Sequence, residues 1–151
     1  MIPQLKKTKN IVISLIAIIC CVAASYAQND DTYTAEMLEG KDWYVKFIDE
    51  EQKERDSQGI RLENNQFVSF FYSNNRRKEV VAPYYLSPTQ DKTFITSKIG
   101  LYKSGSYIIS QDKYGFTCAK ILSLTNDTLI IYCDWNRSQL TFTTQRTKQI
   151  H

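Results

Sequence analysis

Short apolar segments with a two-residue period follow one another along most of the chain, and polar turn clusters separate them. Trp43, Val45 and Phe47 alternate with Asp42, Tyr44 and Lys46, as a half-buried strand requires. Further strand segments run from Gly59 to Leu62, Gln66 to Tyr72, Glu79 to Leu86, Thr93 to Lys98, Ser106 to Ser110, Gly115 to Leu124, Thr128 to Trp135 and Gln139 to Thr144. Breaks such as Asn64-Asn65, Ser73-Asn74-Asn75, Ser87-Pro88-Thr89-Gln90-Asp91 and Thr125-Asn126-Asp127 lie between most of them. Short strands at roughly 8–12-residue spacing with such turns predict an antiparallel sandwich or barrel. No helix-length segment is left to cross between parallel strands, so the fold class is all-β. One stretch, Asp30 to Gly40, looks helical. Thr34 stands where an N-cap would, Ala35 to Leu38 form the turn, and Gly40 supplies the left-handed residue after it. A turn this short is not stable alone, so it must dock on something.

The start of the chain reads as an address. Lys6, Lys7 and Lys9 precede an uncharged apolar run from Ile11 to Ala24, and Ser25-Tyr26-Ala27 then gives way to Gln28-Asn29-Asp30-Asp31. A basic region, an apolar region and small residues at the cut describe a secretory signal peptide, and the run is short for a spanning helix. Cys20 and Cys21 lie in the run, but Ile19 rather than a small residue precedes the first, which argues against lipoprotein processing. Cleavage after Ala27 gives residues 1–27 as signal peptide and 28–151 as one exported domain, periplasmic or secreted, with no membrane span left. A chain of that size buries about two thirds of its unfolded surface, enough for a core of its own.

Charge and chemistry narrow the function classes. The net charge of +3 comes from Lys6, Lys7 and Lys9; without them 16 basic residues face 16 acidic ones. A neutral domain has no general electrostatic pull on nucleic acid or anionic lipid. Arg76-Arg77-Lys78 is a basic hairpin tip without interleaved aromatics, and Glu50 to Asp56 is a solvated charge run. The one histidine is His151, the last residue, so a preorganised imidazole base is not expected. The five glycines are scattered singly, which excludes a phosphate-binding loop, and no metal site or cofactor is expected. These features speak against an enzyme.

Cys118 and Cys133 are the thiols left after signal removal, and they flank the Thr125-Asn126-Asp127 turn in adjacent strands. Register decides whether this candidate disulfide forms. If facing residues sum to 251, Cys118 lies opposite Cys133. If they sum to 252, Ile121 faces Ile131 and Ala119 faces Cys133, a better apolar pairing that puts the two thiols on opposite faces.

Two segments carry a family resemblance. Leu38-Glu39-Gly40-Lys41-Asp42-Trp43-Tyr44-Val45 is similar to the lipocalin pattern of Gly and Trp at the start of the first strand, with two residues between them here rather than one. Ile121-Leu122-Ser123-Leu124-Thr125-Asn126-Asp127-Thr128-Leu129-Ile130-Ile131 resembles the penultimate hairpin of bacterial lipocalin-like proteins. The resemblance implies an up-and-down barrel of about eight strands that binds a small apolar or amphipathic ligand without catalysis. It also implies that Trp43 packs at the closed end under a cation from the last strand, and Arg146 is the residue that could take that place. Eight strands enclose an interior that is filled by side chains or holds one small ligand. Phe47, Phe71, Phe94, Tyr107 and Trp135 are the candidate ligand-lining residues. The alternative is a solid-core envelope module binding a protein or glycan through its loops, with outward Tyr44, Tyr84 or Tyr85, and Tyr132 as an aromatic patch.

Overall fold

The computed structural model describes residues 31–46 and 58–146, so the signal-like segment and Phe47 lie outside the described residues. In chain order the elements are β1 (Tyr33–Thr34), the helical turn α1 (Ala35–Leu38), β2 (Asp42–Val45), β3 (Gln58–Glu63), β4 (Gln66–Ser73), β5 (Arg76–Ser87), β6 (Ser104–Gly105), β7 (Tyr107–Asp112), β8 (Gly115–Leu124), β9 (Thr128–Cys133) and β10 (Ser138–Thr143). From β2 onward each long strand pairs antiparallel with the next, and β10 closes on β2 through Phe142 opposite Val45 and Thr143 opposite Tyr44. The result is a closed eight-stranded up-and-down barrel, which leaves no free sheet edge.

Asparagine makes the tight corners. Asn64 and Asn65 at the β3–β4 turn, and Asn74 and Asn75 at the β4–β5 turn, all have φ between +51 and +63°. Two successive left-handed residues are the type I′ hairpin turn that matches strand twist, and Asn tolerates that conformation.

Residues Thr93 to Lys98, expected as a strand, form no strand. They hold a 3₁₀ turn, Thr96–Lys98, in a long excursion between β5 and β6 that lies on the outside of the barrel. Its apolar residues Phe94 and Ile99 pack on Tyr85, Ile109 and Cys118, which point outward from β5, β7 and β8. That packing satisfies the apolar pattern without a ladder, so this fifth of the nine apolar segments does not enter the sheet.

The β8–β9 register is the 252 alternative: Ala119 faces Cys133 and Ile121 faces Ile131. A slip between Ile121 and Ser123 then sets Leu124 opposite Leu129. Cys133 therefore faces into the barrel and Cys118 lies under the outer excursion, and both are free thiols. The candidate disulfide is corrected on that ground: adjacent-strand residues of opposite parity point to opposite faces. Burial pushes the Cys118 thiol up to about 11, so it is held as the unreactive thiol.

One end of the barrel is solid. Trp43, Leu62, Leu86, Ile108 and Leu129 are fully buried there, and α1 caps them with Leu38. The docking expected for α1 is thus met. Thr34 stands at its N-cap without a side-chain hydrogen bond, while Gly40 takes φ +80° and donates its N–H to the Leu62 carbonyl. Tyr84 points inward and donates its hydroxyl to Glu39 Oε1 at 2.6 Å, which ties the end of α1 to β5.

Candidate binding cavity

Towards the other end, the described side chains no longer fill the barrel. Antiparallel alternation turns Val45, Ile60, Phe71, Val80, Leu140 and Phe142 inward, where they surround a cavity of about 630 Å³. Phe142 and Ile60 lie at its depth; each is register partner to a β2 residue, Val45 and Trp43 respectively, so the packed core begins directly below. The polar part of the lining is Lys46, Gln58, Ser69, Gln139 and Thr141. Such a mostly apolar space with a few polar groups suits a small ligand, which it would hold by burial and orient by hydrogen bonds.

The wall beside the cavity depends on the shortest long strand. β2 offers only four residues to its two neighbours, and a charged and aromatic cluster on the outer face holds it. Arg77, on β5, reaches across the Phe70 ring at 3.9 Å and donates to both Asp42 carboxylate oxygens at 2.8 and 3.2 Å. Its Nε donates to Glu79 at 2.6 Å, and Arg61 adds a second cation 3.5 Å from Asp42. Burial pushes the Asp42 carboxyl up, but the hydrogen bonds and charges of Arg77 and Arg61 outweigh it and hold the group below the usual carboxylate range. Tyr44 meets Phe70 edge-on at 5.5 Å, across Gly59.

Gly59 is required at that crossing. A Cβ there would run into the Trp43 carbonyl oxygen and come 2.7 Å from the Phe70 ring. Gly59→Ala is expected to cost about 1–3 kcal/mol, the range for overpacking, read from urea denaturation. Unchanged stability would show that β2 and β3 can separate freely at this point.

The expected lining residues divide sharply. Phe71 lines the cavity. Phe94 and Tyr107 pack outside the barrel against the Tyr85 cluster, and Trp135, 71% exposed, sits in the β9–β10 turn. The reason is parity: Tyr107 is register partner to outward-facing Lys120, and Phe94 and Trp135 lie outside the ladders. Aliphatic Val45, Ile60, Val80 and Leu140 line the space instead, a set that counting two residues on from Trp43 and pairing across the Asn turns could have found.

Trp43 is buried as expected, and its indole N–H donates to the Leu38 carbonyl at 2.9 Å. The pairing with Arg146 is corrected. The cation over the Trp43 ring is Lys41, at 4.7 Å, whereas Arg146 stacks on Tyr72 at 3.9 Å. β10 ends at Thr143 and the Thr144 N–H turns to the Asp127 carbonyl, so the chain leaves the ladder before Arg146 can reach the barrel end. The tyrosine patch is corrected too: Tyr84 faces the core, Tyr85 is covered by the excursion, and only Tyr44 and Tyr132 remain partly exposed.

Among the described residues no group of three or more His, Cys, Asp and Glu is placed to hold a metal ion, and no helix is long and apolar enough to cross a membrane. No family model, curated protein or solved structure matches the chain.

Proposed function

We propose that this protein is an exported, lipocalin-like barrel that carries a small apolar or amphipathic ligand in its open end and performs no chemistry on it. The observation that carries this reading is the cavity of about 630 Å³, within the few-hundred-ångström-cubed range of small-molecule sites, above a fully packed floor. The signal-like first 27 residues support export, and a lone histidine at position 151 supports a role without acid–base catalysis.

The test is uptake of the uncharged fluorophore N-phenyl-1-naphthylamine by the purified protein, with native mass spectrometry for any molecule that co-purifies. One probe per chain is expected, with blue-shifted emission, and Leu140→Trp should abolish uptake while leaving the circular dichroism unchanged. A correctly folded protein that takes up no probe and retains no small molecule would overturn the proposal. One observation favours the alternative of a loop-binding envelope module: Tyr114 and Trp135, 76% and 71% exposed, stand on two turns of the open end. Under that reading their replacement by Ser would remove partner capture and leave probe uptake untouched.

A further inference from the structure

We propose that the β9–β10 turn presents Asn136 as the acceptor of an N-linked glycan, a site that goes beyond the carrier reading and rests only on its export part. The chain holds two Asn-x-Ser/Thr triplets, Asn126-Asp127-Thr128 and Asn136-Arg137-Ser138. That triplet is the acceptor signature of exported proteins, in which the amide and the hydroxyl two residues on are read together. Both asparagines are exposed, Asn126 on the β8–β9 turn and Asn136 on the β9–β10 turn. The fold treats the two differently.

Asn136 is set up for transfer. Its Oδ1 accepts the Ser138 backbone N–H at 3.2 Å and the Ser138 hydroxyl at 2.7 Å. A backbone N–H can only donate, so the atom it meets is the amide oxygen and Nδ2 is the end turned away. Two donors on that oxygen stabilise the deprotonated amide and make the Nδ2 proton easier to lose. Arg137, between the two, has φ +52°, the left-handed step that folds the hydroxyl back on the amide. Ser138 opposes Cys133 in the last rung of the β9–β10 ladder, so a transferase has only the end of a hairpin to part. Asn126 is held closed instead. The Thr128 hydroxyl lies on Asp127 Oδ1 at 3.3 Å. The Thr125 N–H donates to the Thr128 carbonyl at 2.8 Å, and Thr125 Oγ1 accepts the Thr128 N–H at 3.1 Å. Lys41 Nζ then binds the Asn126 carbonyl at 3.2 Å, and the Thr144 N–H binds that of Asp127 at 3.1 Å.

In the transfer, Asn136 Nδ2 bonds to the anomeric carbon of a polyprenyl-pyrophosphate oligosaccharide. The bond from that carbon to the pyrophosphate oxygen breaks, its electron pair leaves with polyprenyl pyrophosphate, and the amide proton goes to a base on the transferase. Nothing is oxidised or reduced. The test is incubation of the purified folded protein with a single-subunit oligosaccharyltransferase that reads only the triplet and with that donor, followed by peptide mapping in the mass spectrometer. One glycan is expected, on Asn136, with Asn126 left unmodified. Peptides of residues 122–132 and 132–142 should both accept, since no fold distinguishes them. Asn136→Gln and Ser138→Ala should each abolish the modification of the folded protein, and Ser138→Thr should keep it. A folded protein modified at neither site, or at Asn126 as readily as at Asn136, would overturn the proposal. Fractionation of cells making the full chain reports on export separately: retention in the cytoplasm would overturn the export reading and leave the acceptor result standing.

Discussion

Trp43→Ala is expected to destabilise the protein by about 3–5 kcal/mol, the range for emptying a large core site. Trp43 is completely buried, and its surroundings are the fully buried Leu38, Leu62, Leu86 and Leu129 of the packed end. Two losses combine. The indole leaves a void that strands closed into a barrel cannot collapse to fill. The Leu38 carbonyl, one of the unpaired acceptors at the end of α1, loses the N–H that reaches it at 2.9 Å. Most domains are only about 5–15 kcal/mol stable, so the variant would stand near the limit of folding. Trp43→Phe separates the two effects: it refills much of the volume but cannot restore the hydrogen bond, and should cost about 1–2 kcal/mol beyond the change in size. Urea denaturation of both variants is the measurement, and a loss below about 1 kcal/mol for Trp43→Ala would show that this end is not the structural anchor. Arg146→Ala is irrelevant to this site, since its guanidinium lies over Tyr72.

Asp91→Ala should be the second costly change, at about 2–4 kcal/mol, because it leaves a cation and hydroxyls without their shared acceptor. Asp91 is the hub that fastens the outer excursion. It accepts from Lys98 Nζ at 2.9 Å, the Tyr85 hydroxyl at 2.8 Å and Ser87 Oγ at 3.1 Å, and the Tyr85 oxygen in turn accepts the Ile95 N–H at 3.2 Å. Lys98 also lies 4.7 Å from the Tyr102 ring, so cation, carboxylate and rings form one closed unit. Lys98 keeps some exposure, 18% of its side chain, which places the expected cost below that of a wholly buried pair. The damage should be local: tryptic cleavage at Lys92 or Lys98 should appear, while probe uptake at the open end stays unchanged. Stability within about 0.5 kcal/mol of the parent would mean that apolar packing of Phe94 and Ile99 alone holds the excursion.

The same hub sets part of the acid sensitivity. Burial pushes the Asp91 carboxyl up, but hydrogen bonds from Lys98, Tyr85 and Ser87 outweigh it and hold the group below the usual carboxylate range. Burial first, and then Asp91, push the Tyr85 hydroxyl up to about 12, so it stays a donor at every ordinary pH. A depressed carboxylate contributes stability above its unfolded value near 4, and that contribution disappears as pH falls through the lower folded value. Asp42 acts in the same direction. Denaturation midpoints should therefore fall more steeply below about pH 4 for the parent than for Asp91→Asn.

Much of the fold was legible because a strand's side-chain period is a local property. Eight of the nine alternating segments are barrel strands, and the Asn-Asn pairs mark their turns, since only a few residues take two successive left-handed conformations. The β8–β9 register was legible as a choice between two pairings, and apolar matching favoured the one that forms. Trp43 was legible as a core residue from size and position alone.

Local sequence determined that the chain is built of short antiparallel strands, where most of them turn, and that a short N-terminal turn must dock. What it could not decide was which side of the wall each apolar side chain faces once the barrel closes. Phe94, Tyr107 and Phe71 are equally aromatic on paper, yet only Phe71 reaches the cavity, because facing follows from the register each strand takes with its neighbours and Phe94 enters no strand. The Arg77 bridge to Asp42 joins residues 35 positions apart, whereas the Asp91 hub is local in sequence and depends on how the excursion folds back on Tyr85. Arg77 meets Asp42 only because β2 to β5 lie side by side, and the cavity is enclosed only because β10 closes on β2, a contact between the two ends of the sheet that no local pattern encodes.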